Sequence, residues 1–130
     1  MKVLVTGAAG FIGSAVTEKL ASEGHAVVAV DALLGGLYPS AEKVARRQRL
    51  ESNPRVDFHQ LDLREADLSA LPSSITHVIH EAAMPGLGLS WNDFALYESC
   101  NLSATARLIE AAAEWPLERF IQISTSSVYG

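Results

Sequence analysis

The chain has 130 residues, ten Lys and Arg against fifteen Asp and Glu, and a net charge of −5. Its basic residues are scattered, which argues against the basic stripe of a nucleic-acid surface, and no apolar run approaches the length of a membrane span. With 48% hydrophobic and 19% charged residues, the composition fits one globular domain able to bury a core. The single cysteine, Cys100, allows no intrachain disulfide and suits a reducing cytoplasm, and Met1 leads straight into a strand-like segment with no secretory leader expected.

Residues 2–6 (KVLVT) are short, apolar and β-branched and predict a buried first strand. Residues 11–24 predict a helix that places Phe11, Ile12, Ala15, Val16 and Leu20 near one face, with Gly24 as its stop. A second strand is expected over 25–31, a glycine-containing loop over 32–39, and a charged helix over 40–52. Further strands are expected over 56–62, 76–83 and 118–124. A short helix running to Leu71 follows the third strand, and a long helix from about Trp91 to Glu114 follows the fourth. Strands alternating with helices imply right-handed βαβ units. Nearly continuous apolar strands imply a parallel sheet covered on both faces. The expected fold is therefore α/β, a Rossmann-type doubly wound parallel sheet of five strands in the order 3-2-1-4-5.

The junction of first strand and first helix reads TGAAGFIG over 6–13. In a strand–loop–helix setting, Gly7 permits a tight turn, Gly10 lets backbone approach a pyrophosphate, and Gly13 allows close packing of the helix. The N–H groups at the helix start then face an anion. Asp31, at the end of the second strand, stands where a carboxylate accepts hydrogen bonds from an adenosine ribose. No Arg or Lys occurs from Ala32 to Leu37 to receive a 2′-phosphate, so NAD is expected over NADP.

The Gly-x-x-Gly-x-x-Gly spacing, with Phe11 and Ile12 before its last glycine, resembles the extended short-chain dehydrogenase/reductase family, the NAD-dependent sugar epimerases and dehydratases. Other stretches resemble the same family in order and spacing. LDLRE implies an Asp62–Leu63 pair beside the adenine, and VIHEAA implies that Ala82 and Ala83 line the cofactor. NLSAT is similar to the family's helical Asn-x-x-Gly-Thr, which makes Asn101 the family asparagine, with Ala104 in place of the glycine. ISTSSVYG resembles the serine-rich strand that leads to Val-Tyr-Gly. The resemblance implies that Phe11 and Ile12 join Gly7, Gly10 and Gly13 against NAD, and that Thr125 orients a substrate oxygen. Tyr129 does not correspond to the family's catalytic tyrosine, which belongs to a Tyr-x-x-x-Lys. No such motif occurs here: Tyr38 is followed four on by Glu42 and Tyr97 by Asn101. Ser126 and Ser127 stand where dehydratases carry Asp-Glu, which favours epimerase or reductase chemistry.

The remaining candidates have plainer explanations. His77 and His80 are three apart on one strand, so they point to opposite faces and do not chelate one metal. No Cys–His pattern supports zinc, and His80 is expected to be packed or hydrogen-bonded in place. Cys100 is expected to be a buried bystander, and Ser124, Thr125 and Ser126 lack the Gly-x-Ser-x-Gly elbow of an acyl-transfer nucleophile. The expectation is that residues 1–130 are the NAD-binding N-terminal portion of a nucleotide-sugar epimerase or related enzyme. Its substrate domain and base would lie elsewhere, the complete protein could form a homodimer, and the fifth strand would be left incompletely covered. A stand-alone dinucleotide-binding regulatory module is the competing expectation.

Overall fold

The computed structural model describes residues 1–35 and 40–129; residues 36–39 of the expected 32–39 loop, Tyr38 among them, lie outside the described residues. Five parallel strands form one sheet: β1 (Lys2–Thr6), β2 (Ala26–Asp31), β3 (Val56–Gln60), β4 (His77–His80) and β5 (Arg119–Gln122). Their order is β3-β2-β1-β4-β5, as the alternation of segments predicts. The helices are α1 (Phe11–Ser22), α2 (Ser40–Glu51), α3 (Leu87–Ser90), α4 (Phe94–Glu98) and α5 (Ala104–Ala112). Among the described residues, no helix is long and apolar enough to cross a membrane.

Alternate side chains of the central strands feed two cores, as strand geometry requires. Val3, Val5, Val27 and Ala29 pack with Ala21 and Leu50; Leu4, Val28, Val30 and Val78 pack with Ala104 and Leu108. Leu4, Val5, Ala29, Val78 and Leu108 are completely buried, at roughly 1.5–3 kcal/mol of transfer free energy for each large apolar side chain.

The face that helix α1 buries is not its apolar one. Its buried residues are Gly13, Ser14, Thr17 and Ala21, whereas Phe11 and Ile12 are 79% and 60% exposed and Ala15 is also exposed. The reason is close approach: small side chains face the sheet, and Val16 and Leu20 are only half-buried at the flank.

Several elements end earlier than the apolar runs that predict them. β4 stops at His80 because the next two N–H groups, of Glu81 and Ala82, donate to the Thr6 hydroxyl (3.2 and 3.1 Å). β3 stops at Gln60, and Asp62 instead receives the Ala66 N–H on its carbonyl. The expected helix from Trp91 to Glu114 is divided. The Asp93 carboxylate accepts the Leu96 N–H and caps α4, and residues Ser99–Ser103 form a π-helical turn between α4 and α5. A π turn has no recognisable local signature, so periodicity alone reads it as continuous helix.

β5 is an edge strand, paired only with β4 among the described strands. Phe120 packs edge-on against the His80 ring, while Ile121 and Ile123 are 40% and 44% exposed. An open edge with apolar neighbours invites strand pairing between molecules. Light scattering on the 130-residue chain is expected to show concentration-dependent association, reduced by Ile121→Lys; a monodisperse chain indifferent to that substitution would contradict this.

Candidate dinucleotide cleft

Gly7 leaves β1 with φ +70°, and its carbonyl accepts the Gly10 N–H at 2.8 Å. A Cβ on Gly7 would lie 3.0 Å from the Ala82 nitrogen, so the turn and the start of the loop after β4 exclude a side chain there. A Cβ on Gly13 would collide with the Gly7 carbonyl and lie 3.1 Å from the Ala8 Cα. Gly13 therefore packs α1 against the loop itself, a closer constraint than the expected approach to the sheet. Gly10 is the N-cap of α1, with no side-chain cap and no acidic residue in the first turn. The first intrahelical bond runs from the Ser14 N–H to the Gly10 carbonyl. The N–H groups of Phe11, Ile12 and Gly13 consequently have no acceptor within the helix and face outward at its positive end.

These residues open onto a cleft of about 360 Å³ across the C-terminal ends of the strands. It is lined by Gly7, Gly10, Phe11, Ile12, Gly13, Asp31, Asp62, Leu63, Ala82 and Ala83, together with Lys43, Arg64, Glu81, Met84, Cys100 and Ile123 among others. This is the crevice where open α/β sheets bind ligands. Ten sequence-predicted residues are thus brought together.

Asp31 is buried, and its carboxylate is held by three donors. Oδ2 accepts the Ala9 N–H at 3.0 Å; Oδ1 accepts the Leu33 N–H at 2.7 Å and Lys43 Nζ at 3.3 Å. Asp62 is clasped by Arg64, whose Nη2 donates at 2.6 Å and whose Nε donates at 3.0 Å. That hydrogen bonding holds the Asp62 carboxyl below its ordinary value. Arg107 of α5 donates to the carbonyls of Leu63 and Ala66 at 2.7 and 2.8 Å, pinning the segment that carries Asp62 and Leu63. Lys43, Arg64 and Arg107 were not singled out by sequence; Lys43 and Arg107 act across elements, whereas Arg64 lies two residues from its partner Asp62.

Asn101 and Thr125 do not line the cleft. Asn101 sits in the π turn and grips the backbone of Met84: its Oδ1 accepts the Met84 N–H at 2.7 Å and its Nδ2 donates to the Met84 carbonyl at 3.1 Å. The Tyr97 hydroxyl donates to the Pro85 carbonyl at 2.8 Å, so two side chains fix the loop after β4. Thr125 is exposed, and its carbonyl accepts the Val128 N–H; Tyr129 is 90% exposed. Cys100, expected to be a buried bystander, is half-buried and lines the cleft. Burial pushes the Glu81 carboxyl up.

Beneath the cleft, Thr6 and His80 are paired in register and both are fully buried. Thr6 Oγ1 already accepts two N–H donors, so its one proton points to His80 Nδ1, 2.6 Å away. The imidazole therefore carries its proton on Nε2 and donates to Thr105 Oγ1 at 2.9 Å, which in turn donates to the Asn101 carbonyl at 2.9 Å. Burial lowers the His80 pKa from 6.5 to about 4. Between those values the unfolded chain binds a proton that the folded chain refuses. Stability is thus fully present above the unfolded value and declines as pH falls toward the folded one. Denaturant titrations are expected to show a loss of about 2 kcal/mol from His80 between pH 7 and pH 5, absent from the same comparison in His80→Asn. Equal losses in both proteins would contradict this protonation state.

A sequence profile described as the NAD dependent epimerase/dehydratase family matches residues 3–130. YtcB of Bacillus subtilis, named an uncharacterized UDP-glucose epimerase, is 41% identical over 132 residues, covering 100% of this chain and 42% of that protein. A UDP-glucuronate 4-epimerase of Thermodesulfobacterium geofontis is 36% identical, covering 97% of this chain and 40% of its own length. Among solved structures, UDP-glucuronic acid 4-epimerase from Bacillus cereus, in complex with UDP-glucuronic acid and NAD, superposes with a TM-score of 0.93 at 45% identity. The match covers 100% of this chain and 42% of that one. The chain thus spans about two fifths of the length of the relatives it matches.

Proposed function

Because the chain belongs to the NAD dependent epimerase/dehydratase family, we propose that its cleft binds NAD as the cofactor-binding part of a nucleotide-sugar epimerase. One observation carries the reading: the glycine turn, Asp31, the Asp62–Leu63 pair and Ala82–Ala83, scattered along the sequence, meet in one cleft. The residues fit the group. Gly7 and Gly13 leave no room for side chains, the start of α1 offers N–H groups to a pyrophosphate, and buried Asp31 is suited to a ribose diol. Asp62 and Leu63 would hold the adenine end, with Phe11, Ile12, Ala82 and Ala83 along the dinucleotide. Asn101 serves at one remove, by fixing Met84. When bound, NAD would supply reversible hydride acceptance.

Relatives named as UDP-glucose and UDP-glucuronate epimerases support a UDP-sugar or a similar nucleotide sugar as the substrate of the complete protein; we further propose that this protein is cytoplasmic and that two copies of it can pair. Thr125 is assigned the role of holding the substrate's reacting oxygen. A Thr hydroxyl is too weak an acid to serve as the base, and Tyr129, in Val-Tyr-Gly, does not correspond to the family's catalytic tyrosine. The base is therefore assigned to a Tyr-x-x-x-Lys in a longer protein, along with a substrate-binding domain.

Two outcomes test the reading. NADH fluorescence titration is expected to show tighter binding of NADH than NADPH by the 130-residue chain, and Gly10→Val is expected to abolish binding of both. Undiminished binding by that variant would remove the glycine turn from the site. The same chain is expected to give no epimerisation of UDP-glucose or UDP-glucuronic acid, because general acid–base assistance contributes about 10²–10⁴-fold and its residues are missing here. Turnover by the purified chain would overturn the assignment of the base. Retained binding without turnover in every longer protein containing this chain would favour a regulatory module instead.

A further inference from the structure

We infer that Lys43 is a specificity-determining residue, holding beside Asp31 a position for a 2′-phosphate that the Asp31 carboxylate keeps closed; this rests on the dinucleotide reading above. Lys43 comes from α2, outside the loop in which a phosphate-binding cation is ordinarily sought. Its side chain is 19% exposed, lines the cleft and lies 3.3 Å from Asp31 Oδ1. The other cleft-lining cation among the described residues, Arg64, is engaged by both oxygens of Asp62. Arg46, on the same helix, is committed to the Ala9 carbonyl and to Glu42. An ammonium has three donors, and the Asp31 contact, at the long end of the hydrogen-bond range, uses one of them.

The consequence is electrostatic. A lone carboxylate at this point would accept from the ribose diol and repel a 2′-phosphate. A carboxylate paired with an ammonium presents almost no net charge, so its repulsion of a phosphate is largely offset. The preference between the two dinucleotides then depends on both side chains. Removing the charge of Asp31 leaves the ammonium where a 2′-phosphate would arrive, so the preference should reverse rather than merely vanish.

The test is the ratio of NADH to NADPH affinity, measured by titration of the 130-residue chain and of Lys43→Gln, Lys43→Arg, Asp31→Asn and the Asp31→Asn/Lys43→Gln double variant, with thermal unfolding confirming that each is folded. Lys43→Gln is expected to weaken NADPH more than NADH and widen the ratio by roughly tenfold, and Lys43→Arg to restore it, as charge-assisted hydrogen bonds imply. Asp31→Asn is expected to favour NADPH, and the double variant to lose that reversal. If Lys43 only positions Asp31, Lys43→Gln will weaken both dinucleotides equally; that result overturns the inference while leaving the cleft's assignment intact. Failure of Asp31→Asn, folded, to favour NADPH also overturns it. If Asp31→Asn does not fold, the Lys43→Gln and Lys43→Arg ratios decide alone. Failure of the unmodified chain to bind either dinucleotide overturns both readings.

Discussion

The Gly7 carbonyl is the fixed point around which the cleft is built. It accepts the Gly10 N–H at 2.8 Å, and it is the atom that a side chain at Gly13 would strike. Gly7 itself takes a positive φ against the backbone of Ala82. One peptide group therefore fixes three relations: the direction in which the chain leaves β1, the start of α1, and the distance from that helix to the loop after β4. The helix start, with N–H groups lacking intrahelical acceptors, is left facing the crevice at the ends of the strands. Small residues along the buried side of α1 are the continuation of this constraint. Phe11 and Ile12, excluded from the core by it, become walls of the cleft.

A second layer of order lies under the loop and is polar. Thr6, His80 and Thr105 pass hydrogen bonds from β1 through β4 to α5. Each hydroxyl proton has one consistent destination, ending at the Asn101 carbonyl. Two N–H groups that would otherwise continue β4 are satisfied by Thr6, which ends the strand at His80 and turns Glu81 and Ala82 into the cleft wall. Asn101 and Tyr97 then fix the next residues, Met84 and Pro85. Buried polar groups of this kind are costly when left unpaired and specific when satisfied. Here they position a loop that apolar packing alone would not define.

The parts of this design visible in sequence are those with local causes. The glycine spacing, the carboxylate closing β2 and the alternation of apolar strands with helices identify the sheet order and most of the cleft wall. What sequence concealed depends on contacts between distant segments. Lys43 reaches Asp31 from the next helix, and Arg107 reaches the Leu63 and Ala66 carbonyls from α5. The π turn at Ser99–Ser103 interrupts a segment whose periodicity reads as unbroken helix. The buried face of α1 is hidden from sequence for a related reason. Hydrophobic patterning looks for large apolar side chains, whereas close approach to the glycine turn selects small ones. Thr125 and Asn101 were assigned by resemblance, and their geometry places neither among the cleft-lining residues.

Amide chemical-shift mapping of the isotopically labelled chain during titration with NAD addresses the central claim, that the Gly7 turn and the Asp31 strand end form one dinucleotide site. The account predicts saturable shifts with a single affinity at Gly7, Gly10, Ile12, Gly13, Asp31, Leu63 and Ala82. Residues at the opposite end of the sheet, such as Ala26 and Arg55, should remain unmoved. Shifts confined to other surfaces, or none at the glycine turn at saturating NAD, would contradict it.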